Sequence, residues 1–317
     1  ELDAFFARTG YPRTPHRYII KWLTDFIRKY GIDGFRCDTA KHLEEGVWAE
    51  LRKEADLAFA DWKRANPAKK LDDQPFYMVA EVYGYNIAGG RDYDFGDRKV
   101  DYFANGFTSL INFGAKYDAK LPYEQMFARY DTLLRGPLKG VTVLNYLASH
   151  DDGSPYDPDR EMALEAGTRL LLCPGQAQIY YGDETARTLT FPGAQGDANL
   201  RAFMNWDELA SNQARGGHFI QDVLLHWRRL GSFRSKHPAV GMGVHQMLNE
   251  KPYVFKRSFK NGTYQDAVVI GLDLPSGRKT IPVGNVFPEG AVVMDYYSGQ
   301  TVVVQGGAAT FTSGFTI

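Results

Sequence analysis

Gly34-Phe35-Arg36-Cys37-Asp38-Thr39-Ala40-Lys41-His42 is the stretch on which the reading of this chain turns. It places an arginine and a carboxylate two residues apart, on one side of an extended strand, with Cys37 between them on the other side. Lys41 and His42 follow where the strand should end. A carboxylate beside a fixed positive charge at a strand end is held ionised, the state a nucleophile needs. Two more acidic strand ends lie downstream: Glu81, after Phe76-Tyr77-Met78-Val79-Ala80, and His150-Asp151, after the apolar run from Val141 to Leu147. Three carboxylates at the C-terminal ends of successive strands point to glycosidic bond chemistry on a (β/α) barrel.

Working outward, Thr14-Pro15 is a helix start, with Thr as N-cap and Pro at the first helical position. Ile19, Ile20, Leu23, Phe26, Ile27 and Tyr30 recur at helical spacing, and Gly31 closes that helix. A short strand over 33–38 and a helix over 43–66 follow. Beyond the strand ending at Glu81, residues 83–106 are rich in Gly, Asp and Tyr and read as a long loop with a turn of helix, the kind of segment that usually serves function. Further strands are predicted over 107–113, 141–147 and 177–181, and helices over 123–134, 160–172 and 219–235. Another loop is predicted over 190–217. After His237-Pro238 the pattern changes to short apolar runs such as Tyr253-Val254-Phe255 and Ala267-Val268-Val269-Ile270, with turns at Asn261-Gly262 and Ser276-Gly277. The expected organisation is therefore a partial (β/α) barrel over 1–238 and an antiparallel β-sandwich over 239–317.

Composition narrows the function. With 317 residues the chain suffices for one large domain and a small one. A net charge of −1 gives no basic patch for nucleic acid or an anionic membrane surface, and no apolar run approaches a membrane span. Aromatics reach 14%, enough to fill a large core and to line a sugar-binding groove. Cys37 and Cys173 do not make a disulfide framework, and both are expected to be free and buried.

Five βα units fall short of the eight that close such a barrel. The motifs resemble those of the alpha-amylase family, glycoside hydrolase family thirteen. Gly34 to His42 resembles the family's fourth-strand motif, Val79-Ala80-Glu81-Val82 its fifth, Tyr146-Leu147-Ala148-Ser149-His150-Asp151 its seventh, and Ile179-Tyr180-Tyr181-Gly182-Asp183-Glu184 its eighth-strand end. The resemblance implies a (β/α)8 TIM-barrel fold represented by strands four to eight only. It implies retaining hydrolysis of α-1,4-glucosidic bonds in starch-like glucans, with transglycosylation by the same residues as the alternative. Asp38 would be the nucleophile, Glu81 the general acid and then base, and Asp151 the carboxylate that holds sugar hydroxyls most strongly in the transition state. Arg36 would orient Asp38. His150 would donate to sugar hydroxyls. Lys41 and His42 would meet the sugar on the leaving-group side.

The resemblance also implies calcium, to which His42 would offer its backbone carbonyl. Asp92, Asp94, Asp97 and Asp101 fit no known calcium-loop spacing and read as a solvated acidic loop. Ser149 stands where the family has asparagine, which argues against chloride dependence. No match to the family's first motif precedes residue 15. A missing N-terminal barrel portion is thus expected as a partner, beside an oligo- or polysaccharide substrate. An inactive fragment or a non-catalytic barrel relative are the rival readings, the latter disfavoured by the presence of all three acids. Starch lies outside most cells that use it, so a secreted or periplasmic location is expected.

Overall fold

The structure, a computed structural model, describes residues 1–313 and divides into two compact units, Glu1–Phe113 with Pro137–Leu144, and Gly114–Gly136 with Asn145–Ile317. The first unit opens with helices α1 (Leu2–Thr9) and α2 (Pro15–Tyr30), then strand β1 (Gly34–Cys37), helix α3 (Glu45–Ala65) and strand β2 (Tyr77–Ala80). A small hairpin of β3 (Asp92–Asp94) and β4 (Lys99–Asp101) precedes β5 (Ser109–Asn112). The α1 helix, which the sequence reading omitted, is closed by Gly10 in the left-handed conformation and buries Phe5 and Phe6.

Pro15 at the first position starts α2, and left-handed Gly31 stops it. Its apolar spacing covers two sides. Ile20 and Ile27 are buried, and α2 packs against α3, whereas Ile19, Trp22, Phe26 and Tyr30 are about half exposed on another side. Parallel pairing joins Arg36 to Val79 and Cys37 to Ala80, and β2 pairs parallel with β5. No α-helix follows β2. The loop over 83–106 holds the expected turn of helix, at Ile87–Gly89, and also the β3–β4 hairpin, which was not expected.

The second unit holds α4 (Ala115–Asp118), α5 (Tyr123–Arg135), the end of β6 (Thr142–Asn145), α6 (Ala163–Leu171), β7 (Gln176–Ala177), α7 (Trp206–Ala210), the two-residue strands β8 (Ala214–Arg215) and β9 (His218–Phe219), α8 (Ile220–Lys236) and α9 (Ala239–Met242). The strands run in the order β1-β2-β5-β6-β7, sequential neighbours as a barrel arc requires, and β7 joins through Asn145, whose carbonyl accepts from the Gln178 amide at 2.8 Å. β7 is shorter than the predicted 177–181. The Tyr180 amide donates to the Asp183 side chain, and the Tyr180 carbonyl accepts from the Asp183 amide, so a tight turn captures groups a ladder would have used. The predicted loop over 190–217 also contains α7 and the β8–β9 hairpin.

Antiparallel strands complete this unit: β10 (Val244–Asn249), β11 (Tyr253–Asn261) and β12 (Tyr264–Leu272) form one sheet, while β13 (Lys279–Pro282) pairs with β16 (Ala308–Phe311) and β14 (Val292–Met294) with β15 (Thr301–Val303). Val283, Val304, Ala309 and Phe311 form a small core there, with Val269 of β12 packed against it. The change from parallel to antiparallel strands near residue 239 thus falls inside one compact unit. Among the described residues no helix is long and apolar enough to cross a membrane.

Candidate active site

Cys37 lies level with Ala80, so the next residues on each strand, Asp38 and Glu81, leave the sheet at the same height. Neighbouring strands lie about 4.8 Å apart. The ladder continues past both strands: the Glu81 amide donates to the Cys37 carbonyl and the Ala40 amide to the Glu81 carbonyl, each at 2.9 Å. Thr39 takes a left-handed conformation, φ +46°, which turns the chain into the short helix of Ala40–His42 and aims its own amide at the Glu81 carboxyl, 3.2 Å away.

One guanidinium joins the two acids. Arg36 donates through Nη1 to Asp38 and through Nη2 to Glu81 Oε2 at 2.9 Å. The environments of the acids differ sharply. The Asp38 side chain is 63% exposed and that of Glu81 only 11%. Burial pushes the Glu81 carboxyl above the usual carboxylate range, and its hydrogen bond with Asp38 pushes the same way; the Thr39 amide and the Arg36 charge pull it down without cancelling this. Two neighbouring carboxyls in unlike surroundings are the arrangement that separates an acid from a nucleophile. Cys37 points the other way into the core, where burial raises its thiol to about 12.

Lys41 donates to the Tyr83 carbonyl and to the Tyr93 hydroxyl, both at 3.0 Å, and Tyr93 donates on to the Tyr83 carbonyl at 2.9 Å. Lys41 is thereby fixed between the rings of Tyr83 and Tyr93. Of the tyrosines in this loop, Tyr85 is a core residue that donates to the Gly90 carbonyl, whereas the Tyr83 ring is exposed. The acidic loop is structural: Arg91 pairs with Asp101 at 2.7 Å, and Asp94 caps the Gly96 amide. His42 ends the short helix beside these groups. Among the described residues, no three His, Cys, Asp or Glu side chains converge as a metal site.

In the second unit β6 ends at Asn145 and the chain runs on to Ser149-His150-Asp151. The Ser149 hydroxyl donates to Asp151 Oδ1 at 3.0 Å, and His150 Nε2 lies 3.4 Å from Asp151 Oδ2. Arg201 donates to the His150 carbonyl at 3.0 Å. Beneath this loop lies a group that motif reading did not find. Asp152 accepts from Lys116 at 2.5 Å on both oxygens, from the Tyr146 hydroxyl at 2.7 Å and from the Ser154 amide at 3.0 Å. Burial opposes the Asp152 charge, but the bonds from Lys116 and Tyr146 outweigh it and hold the carboxyl below its ordinary value. The doubled aspartate was the available signal; the lysine 36 residues away carried none. Beyond β7, Asp183 is buried and paired with Arg160 at 2.7 Å.

The structure therefore brings Arg36, Asp38 and Glu81 together in the first unit, which also holds Lys41 and His42, and pairs His150 with Asp151 in the second. No protein-family model matches the chain. It is 37% identical over 255 residues to the periplasmic alpha-amylase of Escherichia coli, across 79% of this chain and 34% of that protein. It is 24% identical over 274 residues to a cyclomaltodextrin glucanotransferase of Geobacillus stearothermophilus, across 81% of this chain and 33% of that one. The solved alpha-amylase of Geobacillus thermoleovorans, complexed with acarbose, shares the fold with a TM-score of 0.61 at 18% identity, over 95% of this chain and 62% of that one. The chain spans about a third of the length of these curated relatives. Four strand-end motifs in family order, on five sequential strands trailed by antiparallel sheets, and a 37% identical relative agree: the chain belongs to the alpha-amylase family.

Proposed function

We propose that this chain carries the catalytic strand ends of a retaining glycoside hydrolase that cleaves α-1,4-glucosidic bonds in starch-like glucans. The observation that supports it most is the Arg36 fork between Asp38 and Glu81 on two strand ends of equal height. Asp38 and Glu81 share one guanidinium and hydrogen-bond to each other, and such close carboxyls favour a retaining enzyme over an inverting one, whose carboxyls stand about 6.5–9.5 Å apart. Asp38, exposed and paired with Arg36, is the ionised nucleophile and attacks the anomeric carbon. Glu81, buried and held protonated to higher pH, donates to the leaving oxygen and then takes a proton from the water that resolves the glycosyl-enzyme. Asp151 and His150 hold sugar hydroxyls, and Lys41 and His42 line the leaving-group side.

The remaining strands of the barrel, and the rest of any calcium shell, come on this reading from residues outside the 317. Strands β1, β2, β5, β6 and β7 then stand for barrel strands four to eight, with 1–238 the barrel portion and 239–317 the trailing β module. The E. coli relative's name favours a periplasmic location. A transglycosylase is the second reading, favoured by the glucanotransferase relative, and it uses the same residues with a sugar hydroxyl in place of water. In the full-length enzyme, Asp38→Asn and Glu81→Gln should each remove nearly all activity on maltodextrin, and NMR of the first product should show the α-anomer. Near-parental activity in either variant, or a β-anomer, refutes the assignment. Longer glucans among the products would select transfer over hydrolysis.

A further inference from the structure

The structure assigns Lys116, Asp152 and Tyr146 as positioning residues that aim Asp151 at the sugar; we propose this on the reading above, in which Asp151 is the third carboxylate. Asp151 itself is loosely held. Its side chain is 38% exposed, and its bonds are to Ser149 and His150, residues of the same loop. Asp152, one peptide further, is fixed. Four bonds from three residues reach its carboxylate. Lys116 stands on α4 and Tyr146 just beyond β6, so the carboxylate ties the loop to two separate elements. Both donors are buried, Lys116 at 6% and Tyr146 at 1% exposed, and the accepting Asp152 side chain is 12% exposed. Clamping Asp152 fixes the backbone of its neighbour and the direction in which the Asp151 side chain leaves it. Arg201 on the His150 carbonyl steadies the loop from the preceding residue.

The alternative is that this cluster only packs the protein. Buried ion pairs are poor stability devices, because desolvating both charges offsets most of their attraction. A rigid support close to a reacting group matters more, since a misplacement of about 1 Å is enough to cost about 10²-fold in rate. Because Asp151 is read as binding the transition state more tightly than the ground state, its misalignment falls on kcat rather than on KM.

The test uses the full-length enzyme and maltodextrin. Lys116→Met and Asp152→Asn should each lower kcat by about 10²-fold with KM moved less than about threefold. Lys116→Arg should recover at least tenfold of that loss. Tyr146→Phe removes one hydroxyl, and should lower kcat about tenfold while melting like the parent, so it serves if the charge variants do not fold. The proposal is overturned if these variants melt like the parent and keep kcat within threefold of it. It is also overturned if kcat falls only in step with melting temperature and Lys116→Arg restores nothing. Asp151→Asn separates the two levels: near-parental activity there defeats the reading of Asp151 itself, whereas near-complete loss leaves that reading standing whatever Lys116→Met does.

Discussion

Arg36 is shared. It contacts the exposed Asp38 and the buried Glu81 at once, and its charge is among the influences lowering the Glu81 carboxyl. On the proposed function Glu81 is the general acid, which works only while protonated, so its raised value would set the alkaline limb of kcat/KM. Removing the Arg36 charge takes away one downward pull, and Arg36→Gln should therefore move that limb to higher pH while lowering the rate. A pH–rate profile checks this, and an unmoved limb speaks against the proposed acid. Stability gives a second test. The folded Glu81 value lies above the unfolded one, so the folded state binds more protons in the window between them, and stability declines as pH rises through it. Glu81→Gln lacks this loss. At pH 7 it should melt no lower than the parent, and the two should converge below about pH 4, where the parental carboxyl is also neutral.

Gly31 ends α2 at φ +70°, and a Cβ there would fall 2.3 Å from the Trp62 indole. Gly31→Ala should destabilise by about 3 kcal/mol, combining left-handed strain with overpacking, as read from urea unfolding at constant m-value. That glycine was visible in the sequence because helix stops are local chemistry. So were the strand ends at Asp38 and Glu81, since an apolar run closed by an acid needs no knowledge of partners. What the sequence did not reveal is non-local. The exposed stripe of Ile19, Trp22, Phe26 and Tyr30 has the same spacing as a buried one, and periodicity cannot say which stripe meets α3. Strand β7 shortened because the Asp183 side chain took the Tyr180 amide. Lys116 finds Asp152 through the fold alone, so no motif announced it.

At the scale of the molecule, the antiparallel strands are bound into the second unit by polar ties. Glu124 on α5 accepts from His245 at 2.8 Å and from Tyr253 at 2.7 Å. Arg257 on β11 is wholly buried between the rings of Phe127 and Phe255 and donates to the carbonyls of Leu172 and Val240. Ending the chain after Pro238 should therefore abolish cooperative melting of the second unit instead of releasing an independent barrel portion, and calorimetry would show this. Arg257→Met, which leaves two buried carbonyls without donors, should cost about 3 kcal/mol in the intact chain. An arc of five strands exposes sheet edges prone to pairing with other chains. The 317 residues expressed alone should therefore self-associate at micromolar concentration by light scattering, and, on the proposed function, should turn over no starch in an assay in which the full-length protein does.

Cys37 and Cys173 are both free, both buried, and each is pushed up to about 12 by that burial. Thiols in that state are poor partners for oxidants and for each other. The fold thus waits for no crosslink to mature, and an oxidising or a reducing surrounding yields the same covalent chain. Export would change its address without changing its chemistry, and thiol-labelling reagents should react only after the protein is unfolded.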